Sequence, residues 1–127
     1  MNKKIVLTAL VFGIFTIVLG AFGAHGLKQY LSAEQLSSFE VGVKYLMFHA
    51  LFLMFVANTN LVEENEKNAI FYFTLFGTLF FSGSIFLLTT KSVSGIDFKF
   101  LGPVTPIGGL LLIAAWIWLF IKILMKK

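Results

Sequence analysis

Four uncharged stretches leave this chain of 127 residues little choice of environment: Ile5–Leu27, Tyr45–Val62, Asn68–Thr90 and Phe100–Ile121. Each supplies the roughly 17 to 25 residues that cross a hydrocarbon core of about 30 Å as a helix. Within a bilayer the backbone must satisfy its own donors and acceptors, and helices are the form such runs take. Charged residues make up 13% of the chain, about half their share in an ordinary soluble domain. The fold class that follows is all-α integral membrane, with four transmembrane helices in an antiparallel bundle. One domain covers residues 1–127, with spans at about 5–24, 41–61, 69–90 and 106–124.

The first run follows two lysines and ends in small residues, as a cleaved signal peptide does. Its apolar length of about 20 residues exceeds the roughly 7 to 15 of a signal core, and a retained span is expected. Gly26 should end that span in the left-handed conformation. Ser32 and Gln35 stand at capping-box spacing, and Leu36, Phe39, Val43 and Leu46 follow at helical intervals. This is an amphipathic lead-in to the second helix. "VEENEKN" reads as a solvated loop. Thr105 and Pro106 read as the N-cap and first residue of span four, because proline lacks a donor that position does not need.

With an even number of spans, Lys3, Lys4, Lys67, Lys122, Lys126 and Lys127 share one side against Lys28, Lys91 and Lys99 on the other. The lysine-rich side stays inside, so both termini are expected in the cytoplasm of a multi-pass plasma (inner) membrane protein. Cysteine and arginine are both absent. Disulfides, thiolate nucleophiles and zinc-thiolate sites are excluded, and no basic groove for nucleic acid is present.

Helical rise places the polar residues by depth. His25 lies at the outer face and His49 roughly 8 to 13 Å below it, one turn after Tyr45. Ser82 and Ser84 lie about 20 Å up span three, again in the outer half. Thr105, Gly108 and Gly109 start span four at the same face. His25, Tyr45, His49, Ser82, Ser84, Thr105, Gly108 and Gly109 therefore form one candidate polar cluster or ligand site. The paired glycines call for a close neighbour, because each costs helix stability on its own. Gly13, Gly20 and Ala24 form a small-residue seam for helix packing. Trp116 falls about 15 Å into span four, near the bilayer centre, where its N–H needs a partner within the bundle.

"GAFGAHGL" (Gly20–Leu27), Tyr45 with His49-Ala50-Leu51, "FSGS" (Phe81–Ser84), "GPVTPIGG" (Gly102–Gly109) and Trp116 together resemble the YgdD/YwdK-like family of small polytopic membrane proteins of unknown function. The resemblance spans nearly the whole chain. It implies a membrane protein and brings no known substrate. Members often carry Tyr where this chain has Phe86, so the resemblance implies no hydroxyl role there.

The function expected is that of a non-enzymatic accessory, assembly or lipid-contacting protein, acting as a homo-oligomer or in a small membrane complex. No cofactor or metal is expected, since two histidines without an inner-span carboxylate make a poor metal site. The alternative is a small-solute or proton-coupled transporter or channel acting as an oligomer. Small exporters of this size rely on a carboxylate in the first span, which is absent here. An enzyme with Ser82 or Ser84 as nucleophile and His49 as base lacks both a nucleophile motif and an acid to orient the histidine.

Overall fold

The computed structural model describes residues 2–126, the Ser92 side chain excepted. Helix α1, Lys3–Phe22, runs on through a π turn, Gly23–Leu27, and α2 covers Ala33–Asn58. The third span is α3, Glu64–Thr78, a second π turn, Leu79–Gly83, and α4, Ser84–Thr89. A short α5, Lys91–Ser94, and a 3-10 turn, Lys99–Leu101, lead to α6, Val104–Met125. Among the described residues, four helical stretches are long and apolar enough to cross a membrane.

The capping box at α2 forms: Gln35 N–H donates to Ser32 Oγ at 3.1 Å, and Ser32 N–H donates to Gln35 Oε1 at 3.0 Å. The lead-in and span two are thus one unbroken helix of 26 residues. Gly26 does not end α1 in the left-handed conformation. It lies inside the π turn, where a Cβ would come within 2.7 Å of the Phe22 ring. Among the described residues only Gly95, after α5, takes a positive φ, at 73°.

Helix α3 begins earlier than hydropathy suggests, and α6 begins two residues before the start that Thr105 and Pro106 suggest. The "VEENEKN" loop is mostly helix: Glu64 and Glu66 occupy the first turn of α3, where the helix dipole favours carboxylates. Lys67 is buried rather than solvated, at 4% exposure. Its Nζ donates to the Ala57 carbonyl at 3.2 Å and pairs with Glu64 at 3.8 Å, satisfying an end carbonyl of α2. The Asn2 amide donates to the same carbonyl. Helix α6 starts at Val104 with Pro103 before it, so Thr105 does not cap. Pro106 still costs no hydrogen bond, because the first four N–H groups of a helix have no partner inside it.

Neighbours in sequence are neighbours in space. Helix α1 packs mainly on α2, α2 also on the third span, and α6 on α3 and the second π turn. The apolar core joins Ile5, Ala9 and Phe12 to Leu46, Leu53, Ile70 and Leu119. The seam expected along Gly13, Gly20 and Ala24 is displaced around α1. A Cβ on Gly13 would meet nothing within 4 Å and Ala24 is exposed, while Gly20 makes ordinary contact with Val43. Instead Ile5, Ala9, Phe12, Thr16 and Gly23 form the buried stripe of the first span, where small residues interleaved with large ones give close van der Waals packing.

The closest helix crossing is at Gly108. A Cβ there would overlap the backbone of Phe81 and come within 2.8 Å of the Gly77 carbonyl. At Gly77 it would lie 2.9 Å from Leu112. Gly108 and Gly77 therefore set the distance between α6 and the third span. Gly109 is different: its Cβ would meet only the Phe81 ring, at an ordinary 3.6 Å.

Candidate functional site

The Gly108 crossing fixes how α6 faces α2, and one cross-helix pair bridges the gap. His49 is 3% exposed, and its Nδ1 lies 2.7 Å from the Tyr45 carbonyl one turn back. Since a carbonyl only accepts, Nδ1 carries the proton. The Trp116 indole N–H then donates to His49 Nε2 at 3.0 Å, and that nitrogen must supply a lone pair. One neutral tautomer satisfies all three groups. The Trp116 ring also packs on Phe52 at 4.3 Å between centroids.

Beside this pair is a cavity of about 410 Å³ lined by Tyr45, His49, Phe81, Gly109, Leu112 and Trp116, with Ile113 and Ile117. The Tyr45 ring closes one wall against Phe81 at 5.0 Å. With the histidine and indole nitrogens bonded to each other and to the Tyr45 carbonyl, the lining is mostly carbon, and the Tyr45 phenol is its other polar side chain.

The expected cluster thus divides. Tyr45, His49 and Gly109 share the groove, joined there by Trp116, which was expected among the helix-packing residues. Ser84 and Thr105 pair above it, hydroxyl to hydroxyl at 2.6 Å, and Ser84 also bonds the Phe80 carbonyl at 2.5 Å. Ser82 donates to the Gly42 carbonyl across to α2 at 2.8 Å, a packing bond. Gly108 belongs to the helix crossing. His25 stands apart, exposed in the first π turn. The serine hydroxyls and the imidazole are thus committed to other partners.

A second polar group lies at the end of the bundle that carries the termini. The Trp118 indole N–H donates to Glu66 Oε2 at 2.6 Å, and Lys122 Nζ lies 3.4 Å from Glu66 Oε1. Sequence reasoning missed it by assigning Glu66 to a loop. The available signal was Trp118 and Lys122 four residues apart on one helix face.

Residues 19–109 match the family described as a protein of unknown function (DUF423). The chain belongs to that family. The chain is also similar to membrane proteins from distant organisms. UPF0382 membrane protein SSP2132 of Staphylococcus saprophyticus is 38% identical over 80% of this chain and 81% of its own. The UPF0382 membrane protein of Haemophilus influenzae is 38% identical over 91% and 89%. YwdK of Bacillus subtilis is 31% identical over 94% of each chain. No solved structure matches. The family region contains His49, Ser82, Ser84, Thr105, Gly108 and Gly109, and ends before Trp116.

Proposed function

We propose that this protein is a non-enzymatic, lipid-contacting membrane protein whose groove between α2 and α6 seats one apolar chain from the bilayer. The observation that carries this reading is the cavity of about 410 Å³ whose histidine and indole nitrogens are already bonded. Bound water or a polar solute needs convergent donors and acceptors left free for it. An alkyl or isoprenoid chain needs only shape and carbon contact, which also drives association inside a bilayer.

The lysine asymmetry supports cytoplasmic termini in a plasma membrane. Cysteine replacing the exposed Lys28, but not one replacing Lys126, should then react with an impermeant thiol reagent outside intact cells; the reverse pattern would invert the topology. A homo-oligomer or small complex fits the outward apolar face of α1, where Leu7, Ile14 and Ile17 are exposed.

The groove itself is tested in bilayers with the Trp118→Phe variant, which leaves Trp116 as the only tryptophan. Chain-brominated phospholipid should quench Trp116, and adding Gly109→Leu should reduce that quenching by filling the groove. Undiminished quenching would reject chain seating. Proton or solute flux in proteoliposomes, lost in a folded His49→Gln variant, would replace this reading with transport.

A further inference from the structure

The end of the bundle that carries the termini holds a different cavity, of about 240 Å³, lined by Leu61, Val62, Glu63, Glu66, Lys122 and Lys126, with Met125 at its edge. Three chain segments build it: the α2–α3 connection, the first turn of α3 and the last turns of α6. Its charges balance, with two carboxylates facing two ammonium groups. They are not equally engaged. Glu66 is held on both oxygens, by Trp118 N–H at 2.6 Å and by Lys122 at 3.4 Å, which fixes the floor. Glu63 and Lys126 stand exposed at the rim, one of each sign.

Lys122 also borders a shallow apolar channel of about 480 Å³ along α6, lined by Ala114, Ile117, Trp118 and Ile121. A charged pocket at the end of the spans therefore opens, through one shared lysine, onto an apolar track at the depth of lipid chains. That is the outline of a phospholipid. A headgroup of one sign would meet a like charge on the rim. A phosphate with a nearby primary ammonium matches both signs, and its N–H groups can donate to Glu63 while its oxygens accept from Lys122 and Lys126.

We propose that this pocket binds the aminoethyl phosphate headgroup of a phosphatidylethanolamine from the adjoining leaflet, with one acyl chain along α6. The charged pocket shares no lining residue with the groove between α2 and α6, and only Ile117 borders both that groove and the apolar channel, so either site could fail without the other.

The experiment is native mass spectrometry of the full-length protein released from micelles containing equal amounts of phosphatidylethanolamine, phosphatidylcholine and phosphatidylglycerol of the same chains. Phosphatidylethanolamine should be retained roughly fivefold or more over phosphatidylcholine, which lacks N–H donors and so forfeits a hydrogen bond to Glu63. Glu63→Gln should bring that ratio towards one, while Lys126→Gln should lower retention of all three lipids. Both side chains are exposed, so neither variant endangers the fold; unchanged tryptophan emission checks this. Equal retention of the three lipids by the wild type, a preference for phosphatidylglycerol, or a phosphatidylethanolamine preference that survives Glu63→Gln would each overturn the proposal.

Discussion

Trp116 and Trp118 stand two residues apart on α6, and each donates its indole N–H across to another helix. The acceptors differ in kind. Trp116 finds a neutral imidazole on α2, beside an apolar cavity; Trp118 finds a carboxylate on α3, beside a charged pocket with a lysine sharing the acid. Indoles near a bilayer surface keep their polar edge among headgroups and water, where losing one partner is tolerable. Deeper in, an abandoned nitrogen has no substitute. The same donor therefore carries unequal weight at its two sites.

The largest effect should come from a change that disturbs both sites at once. Gly108→Leu would drive α6 away from the backbone of Phe81 and from Gly77, at a cost of about 3 kcal/mol. Gly109→Leu enters the groove without meeting backbone and should cost less than about 1 kcal/mol. Unfolding in mixed micelles, followed by helix content, separates the two; equal losses would mean that α6 does not cross where the account puts it.

Next come the tryptophans under one identical substitution. Trp116→Phe leaves His49 Nε2 without a donor in an apolar setting, a loss of about 1–3 kcal/mol beyond the trimmed ring. Trp118→Phe leaves Glu66 with Lys122 and access to water, and should cost about 1 kcal/mol less than its neighbour. Matching stabilities in the same unfolding assay would erase the contrast between the sites.

A smaller effect is expected at Glu66→Gln, which removes the partner of a half-exposed Lys122. The loss should be at most about 1 kcal/mol and shrink in high salt, as solvent-facing ion pairs do. A salt-independent loss would place that pair in a drier setting than its neighbour's groove.

The smallest concerns Thr78, whose hydroxyl is buried without a partner among the described residues. Thr78→Val keeps its shape and removes a group that gains nothing, so stability should be unchanged or rise by up to about 1 kcal/mol. A clear loss would reveal a bond to something at that hydroxyl.

Much of this architecture could be read from the chain because hydrophobic length in a bilayer has few solutions. Four uncharged runs gave the spans, and Ser32 with Gln35 marked where α2 begins. The helix start at Glu64 was hidden, since a hydropathy reading stops at the first charge while a helix dipole welcomes acids in its first turn; the start at Val104 was missed because proline costs no hydrogen bond anywhere in a helix's first turn, so Pro106 need not be its first residue. Lys67 looked like a loop cation because nothing local revealed that an α2 carbonyl lay within its reach. The packing face of α1 was missed for a related reason: small residues suggest close approach, but only the partner helix decides which stripe meets it. The site was legible in its members and not in its pairings. Depth could say that Trp116 needed an acceptor and that His49 sat inside a span; it could not say, across 67 residues, that they were each other's partner.

His49 and Trp116 satisfy one another and leave a dry groove beside them. The ring nitrogens of His49 report this directly by ¹⁵N solid-state NMR of histidine-labelled protein in bilayers at pH 7, using His25→Gln to leave one histidine. The account predicts one neutral ring with its proton on Nδ1 and no magnetisation transfer from water. A proton on Nε2, protons on both nitrogens, or a strong water contact would contradict it.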